Sequence, residues 1–159
     1  MLQQQIDMAN QQEHNIGFRI QNIETLQYAV LQENVDESKL AFAISFSYGL
    51  DAASKIIRTT FRYELMHEEK PAILIEIAVD CGIEPVSFDE KIKEANGFRI
   101  HTSLAIHMAM ITVGTARGIL HEKTKDLILN KYPIPTINVT QTINNDIVFA
   151  EQDPSPDAT

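Results

Sequence analysis

Cysteine occurs once in this 159-residue chain. That count excludes an intramolecular disulfide and a thiolate metal cluster, and it fits a reducing cytosol. The single residue, Cys81, stands beside Gly82 without a visible base, so a buried structural thiol is expected. Basic residues are also scarce: 13 Lys and Arg face 22 Asp and Glu, for a net charge of -9. Affinity for nucleic acid comes mainly from cationic side chains on phosphates, so no nucleic-acid partner is expected. No G-x-S-x-G and no Gly-rich phosphate loop is present. His14, His67, His101, His107 and His121 are dispersed, and "HEEKP" is not H-E-x-x-H. These absences predict no enzyme, no metal and no cofactor. His67 is expected in an exposed turn and His107 in an interface. "NVT" at 138–140 matches a glycosylation acceptor but carries no weight without a secretory signal.

Long apolar runs are missing as well. The densest, Leu104 to Val113, is about half of the roughly 20 residues that a bilayer span requires. The start, "MLQQQIDMANQQEHN", has neither a basic nor an apolar signal region. A cytoplasmic protein with no membrane span is the expectation.

What is present is alternation. "LAFAISFSY" sets Leu40, Phe42, Ile44, Phe46 and Tyr48 against small residues, a period of two over nine positions. "KIIRTTFRYELM" sets Ile57, Thr59, Phe61, Tyr63 and Leu65 against Arg58, Thr60, Arg62 and Glu64. "AILIEIAVD" sets Ile73, Ile75, Ile77 and Val79 against Leu74, Glu76, Ala78 and Asp80. "FRIQNIETLQYAVL" alternates but slips at Asn22-Ile23, which predicts a bulge. The links "NVDES", "YGLDAAS" and "HEEKP" read as turns, and short links favour antiparallel neighbours. One apolar and one polar face describe a sheet covered on one side.

From about Ile100 to Leu120 the period changes to that of a helix, apolar nearly all round. One small sheet cannot bury all of it, so a second subunit is expected. Ser103, His107, Gly114 and Gly118 form a narrow stripe suited to close helix approach, the predicted oligomer interface. "NKYPIPTINVT" then reads as a stiff elbow, because each proline fixes φ, with Ile137–Val139 lying back as an extended strip. Residues 1–16 read as a disordered arm and 150–159 as an acidic flexible tail, leaving one domain at 17–149. The aromatic alternation is either core or the lining of an apolar groove for extended peptide. Phe42, Ile44, Phe46, Tyr48, Phe61 and Tyr63 are the candidate client-binding residues.

In order along residues 17–140, this pattern resembles the SecB family of export chaperones. The segment "ITVGTARGILHEKTKDLILNKYPIPTINVT" is similar to the family's main helix and linker, with Ala116-Arg117 and then Pro135, Ile137 and Asn138. "FRIQNIETLQY", "KLAFAISFSYGLDAASKIIRTTFRYELM" and "PAILIEIAVDCGIEPVS" resemble its four strands. The resemblance implies an α+β fold: a four-stranded antiparallel sheet with one long helix packed on one face. It implies a homotetramer, a dimer of dimers, that binds unfolded precursor polypeptides without ATP and passes them to SecA for protein export. Leu74 and Glu76 match the expected SecA docking positions on the outer face, whereas Gln27 and Leu31 stand where acidic residues are expected. The family's C-terminal groove-covering helix is not expected here, because "QTINNDIVFA" is poor helix sequence. Two alternatives stand: a dedicated chaperone of one partner such as an antitoxin, and a small-ligand-binding α+β protein.

Overall fold

A computed structural model describes residues 15–151. The predicted arm lies outside the described residues except for Asn15 and Ile16, and the predicted tail except for Ala150 and Glu151. The chain forms an α+β fold whose main sheet has four antiparallel strands: β1 (Phe18–Val30), β2 (Leu40–Asp51), β3 (Ile56–His67) and β4 (Lys70–Ile83). Each strand is rich in β-branched and aromatic side chains at alternate positions, which fit a pleated, half-buried surface.

The strand order is β1-β4-β3-β2. Two links join neighbours as expected. The third does not: β1 pairs with β4, and "NVDES" belongs to a connection crossing to the opposite edge. That connection is tied to the tip of the β3–β4 hairpin. Leu31 N–H donates to Ala72 O, and His67 Nε2 accepts from Asp36 N–H at 3.1 Å while its Nδ1 meets Gln32 Oε1 at 2.9 Å. His67 is therefore a half-buried clasp rather than an exposed turn residue. At the tip itself Glu68 and Glu69 both have positive φ, 49° and 65°, the conformation of a mirror-image two-residue turn that normally favours Asn-Gly.

Strand β1 has two bulges, not one. The register shifts between Ile20 and Asn22 and again between Thr25 and Gln27. The first corrects the slip predicted at Asn22-Ile23 by about one residue. Together they keep Phe18, Ile20, Ile23, Tyr28 and Val30 opposite inward-facing residues of β4.

A second sheet was not foreseen. Glu84 caps the short helix α1 (Pro85–Lys91), its carboxylate accepting from Val86 and Ser87 N–H. Strands β5 (Lys93–Glu94) and β6 (Gly97–Ile100) follow, and β7 (Ile147–Ala150) pairs with β6. Gly97 has φ +144°, and a Cβ there would lie 2.2 Å from Phe149 O, so only glycine lets β7 approach.

Helix α2 (Thr102–Lys123) lies over β3 and β4. It buries Leu104, Ala105, Met108, Ala109, Thr112, Val113, Ala116 and Leu120 against Ile57, Phe61, Ile75, Ile77 and Val79. Its ends are tied to opposite edges of the sheet: Tyr48 Oη donates to Ala105 O at 2.6 Å, and Tyr28 Oη to Lys123 O at 3.4 Å. With 22 residues, α2 is long and apolar enough by length and composition to cross a membrane, which corrects the expectation that no stretch was. Its apolarity has a nearer use, because one side of it roofs the sheet.

Candidate functional site

The inner face of β2 is the surface on which the candidate residues meet. Cross-strand pairing sets Phe42 opposite Leu65, Ile44 opposite Tyr63, Phe46 opposite Phe61 and Tyr48 opposite Thr59. The six candidates divide by depth. Phe61 and Tyr63 are fully buried core residues, because β3 lies beneath α2. Burial raises the Tyr63 phenol to about 12 and holds the Tyr48 phenol well above its ordinary range. Ile44, Phe46 and Tyr48 are half-buried on the edge strand, and Phe42 is 49% exposed. Phe42 stacks on Tyr63 at 6.1 Å between centroids and Phe46 leans on Phe61 at 5.0 Å.

The segment leaving α2 lies against this face. Arg117 anchors its root: Nε donates to Ile134 O and Nη2 to Pro135 O, both at 2.9 Å. Pro133 and Pro135 hold the backbone extended, so both carbonyls face one planar guanidinium. Ile134 is buried there. The expected extended strip at Ile137–Val139 is not formed. Val139 instead begins a one-turn helix, α3 (Val139–Thr142), which turns Val139 and Ile143 inward, both buried. The extended piece comes later, as β7, where pairing with β6 satisfies a backbone that poor helix sequence cannot.

Two openings remain along β2. One, of about 330 Å³, lies between Leu40, Phe42, Tyr63 and Leu65 on the sheet and Tyr132, Pro133 and Pro135 on the elbow. The other, of about 240 Å³, lies between Phe46 and Tyr48 and the stretch Thr142–Asn145 with Ile147. The segment between them packs its one-turn helix α3 on α2.

Its far end is held by Asp146, a residue that sequence reasoning missed. Asp146 Oδ1 accepts from Thr102 N–H at 2.8 Å and Thr102 Oγ1 at 2.7 Å, and Oδ2 lies 3.4 Å from Arg99 Nη1. It caps α2, whose own N-cap residue His101 makes no side-chain cap. The Thr102 hydroxyl, then its backbone N–H, holds the Asp146 carboxyl below the usual range. No local signal could reveal a cap supplied from so far along the chain.

The predicted interface stripe is outside this site. Ser103, His107, Gly114 and Gly118 are all exposed, and a Cβ on either glycine would meet nothing within 4 Å. His107 meets Phe18 edge-on at 5.5 Å. On the outer face Leu74 and Glu76 are half-buried, and Glu76 is paired with Arg62 at 3.1 Å. Arg62 also binds Glu64 and Gln27, and Arg58 bridges Asp80 and Glu24. Cys81 is buried, its thiol pushed up to about 11 by desolvation and by Asp80. Among the described residues, no group of three His, Cys, Asp or Glu is placed to hold a metal ion.

No protein-family model and no curated protein matches the chain. Solved structures do resemble it in fold. A SecB-like chaperone of Mycobacterium tuberculosis, in complex with a peptide from an antitoxin, is 15% identical with a TM-score of 0.44, over 76% of this chain and 90% of that one. A protein of unknown function from Streptococcus agalactiae is 15% identical with a TM-score of 0.42, over 78% of this chain and 98% of that one.

Proposed function

We propose that the protein is an ATP-independent holding chaperone that captures unfolded polypeptide in extended form. The observation that carries this reading is Phe42, half-exposed on its Tyr63 floor, within the 12-residue edge strand β2. A bare edge offers unpaired backbone groups, and the adjoining apolar opening offers a place for side chains. Several apolar anchors, each worth about 1.5–3 kcal/mol when fully buried, offset the ordering of a flexible chain. Such capture requires no catalytic group and no cofactor.

The ordered sequence resemblance to SecB supports the same reading and extends it. It suggests a cytoplasmic homo-oligomer, a dimer of dimers, with the exposed α2 stripe between copies. Handover to SecA for export would use Leu74 and Glu76 on the outer face, where Glu76 is bound by Arg62. The test is suppression of aggregation of a reduced, unfolded client without nucleotide. The wild-type protein is expected to suppress it near stoichiometric amounts, and Phe42→Ser to do so several-fold less well. A wild-type protein without effect overturns the reading.

A further inference from the structure

The main sheet ends in two edge strands of opposite character. Strand β1 carries two bulges and the charged residues Arg19 and Glu24, devices that twist an edge away from further pairing and make that pairing costly. Strand β2 has neither. Its register with β3 runs unbroken from Leu40 to Asp51. No charged residue and no proline occurs between Leu40 and Leu50. Its other side is bare: among the described residues, no backbone hydrogen bond from outside β3 reaches residues 41–50.

A bare, unbulged and uncharged edge is a template for another strand. The sequence of β2 suits an antiparallel copy of itself. A two-fold axis through Ser45, normal to the sheet, sets Ile44 opposite Phe46 and Phe42 opposite Tyr48 of the second copy, all on the inner face. Aromatic and β-branched side chains are the pairs that stabilise facing strands. The ends decide the register. Lys39, just before the strand, falls opposite Asp51 of the second copy, and symmetry makes that pair twice. Moving the axis one residue, to Ile44, sets Asp51 against Glu37, a like-charge pair. Moving it to Phe46 leaves Lys39 beyond the end of the facing strand. Both end residues are exposed, and their partners within the chain lie at the surface: Lys39 bridges Glu68, and Asp51 accepts from Ser54 N–H.

We propose that two copies of the chain pair β2 with β2, antiparallel about Ser45, and so join their four-stranded sheets into one. The contact is isologous and closes on itself, so the edge is satisfied without open-ended growth. It lies at the opposite edge of the sheet from β1 and does not use the exposed α2 stripe. The pairing does not rest on the chaperone reading. It sharpens that reading in one respect: an unfolded client that adds to β2 has to displace the second copy.

The experiment places cysteines on the exposed outer face of β2 and oxidises them. Facing Cα atoms of antiparallel strands lie about 4.5–5.5 Å apart, inside the range that a disulfide bridges. Ser45→Cys faces itself across the axis and is expected to give mostly covalent dimer. Ala43→Cys faces Ser47, and its own copies lie about 13 Å apart, so it is expected to cross-link at least about tenfold more slowly. Mixing Ala43→Cys with Ser47→Cys should restore the fast reaction. Cys81 is buried and gives no background. Equal rates for Ser45→Cys and Ala43→Cys overturn the register. No covalent dimer from any of the three overturns the pairing and leaves the edge to a client. Ser45→Lys sets like charges face to face on the axis and is expected to halve the mass read by light scattering, with circular dichroism checking that the fold is kept. An unchanged mass overturns the pairing. If Ser45→Lys does not fold, the cysteine variants decide alone. An unfolded client that leaves Ser45→Cys cross-linking unchanged upholds the pairing and overturns β2 as the place of capture.

Discussion

Thr59 is an apolar position filled by a polar residue. Its side chain points inward between Tyr48 and Val79, it is 1% exposed, and its hydroxyl has no hydrogen-bond partner. The neighbouring phenol does not serve it, because Tyr48 Oη donates to Ala105 O. Thr112 and Thr124, also buried, show the usual solution: each donates to the carbonyl four residues earlier in the helix. A strand residue has no such carbonyl in reach. Removing an unpartnered buried hydroxyl at nearly constant volume relieves its desolvation cost. Thr59→Val is therefore expected to raise stability by about 1 kcal/mol, read as a higher urea midpoint with an unchanged slope. A lower midpoint would show that the hydroxyl is satisfied.

Among the elements, the main sheet owes its two characters to parity. Apart from Thr59, the inward residues of β3 and β4 are apolar or aromatic, and the charged outward ones form ion pairs. Asp80 is central to one set, taking two bonds from the Arg58 side chain and one from Asn22. The Arg58 hydrogen bond, more than any other influence, holds the Asp80 carboxyl below the usual range. The folded state thus prefers the ionised form. Its contribution is complete above the ordinary carboxylate value near 4 and is lost as pH falls through the lower folded-state value. Stability should decline with acid over that window, and Asp80→Asn should flatten the decline while costing some stability at neutral pH. Urea midpoints between about pH 2 and pH 7 would show it; an unchanged acid limb would assign the loss to other carboxylates.

The whole molecule leaves apolar surface uncovered on the side where α2 meets β1. Ile20 is 46% and Ile23 48% exposed although both face inward, and Met110 on α2 is 59% exposed. A helix apolar nearly all round has one side on its own sheet and the other without cover. A second copy of the chain is the partner expected there, with the Gly114 and Gly118 surface allowing close approach. Light scattering should give a multiple of the 17.9 kDa chain mass. Met110→Glu, which sets a charge on that side without touching the core, should shift the mass toward a single chain. A wild-type protein of 17.9 kDa would remove the oligomer from the proposal.

Much of this fold was legible from residue order. Alternation in β2, β3 and β4 is a local consequence of the pleat, so period two marked the strands and which side each residue takes. The long helix and the elbow showed in the same way, through a change of period and two prolines. The second sheet did not, because strands of two to four residues are too short to display a period. Nor did the pairing of β1 with β4, the clasp at His67 or the cap at Asp146, since each joins residues far apart in the chain. Parity placed Phe42 and Phe61 on one face, but only the tertiary structure separated them. Phe61 lies under α2, whereas Phe42 lies on the outermost strand beyond the helix. Alternation states which side of a sheet a side chain takes; what covers that side depends on how distant segments pack.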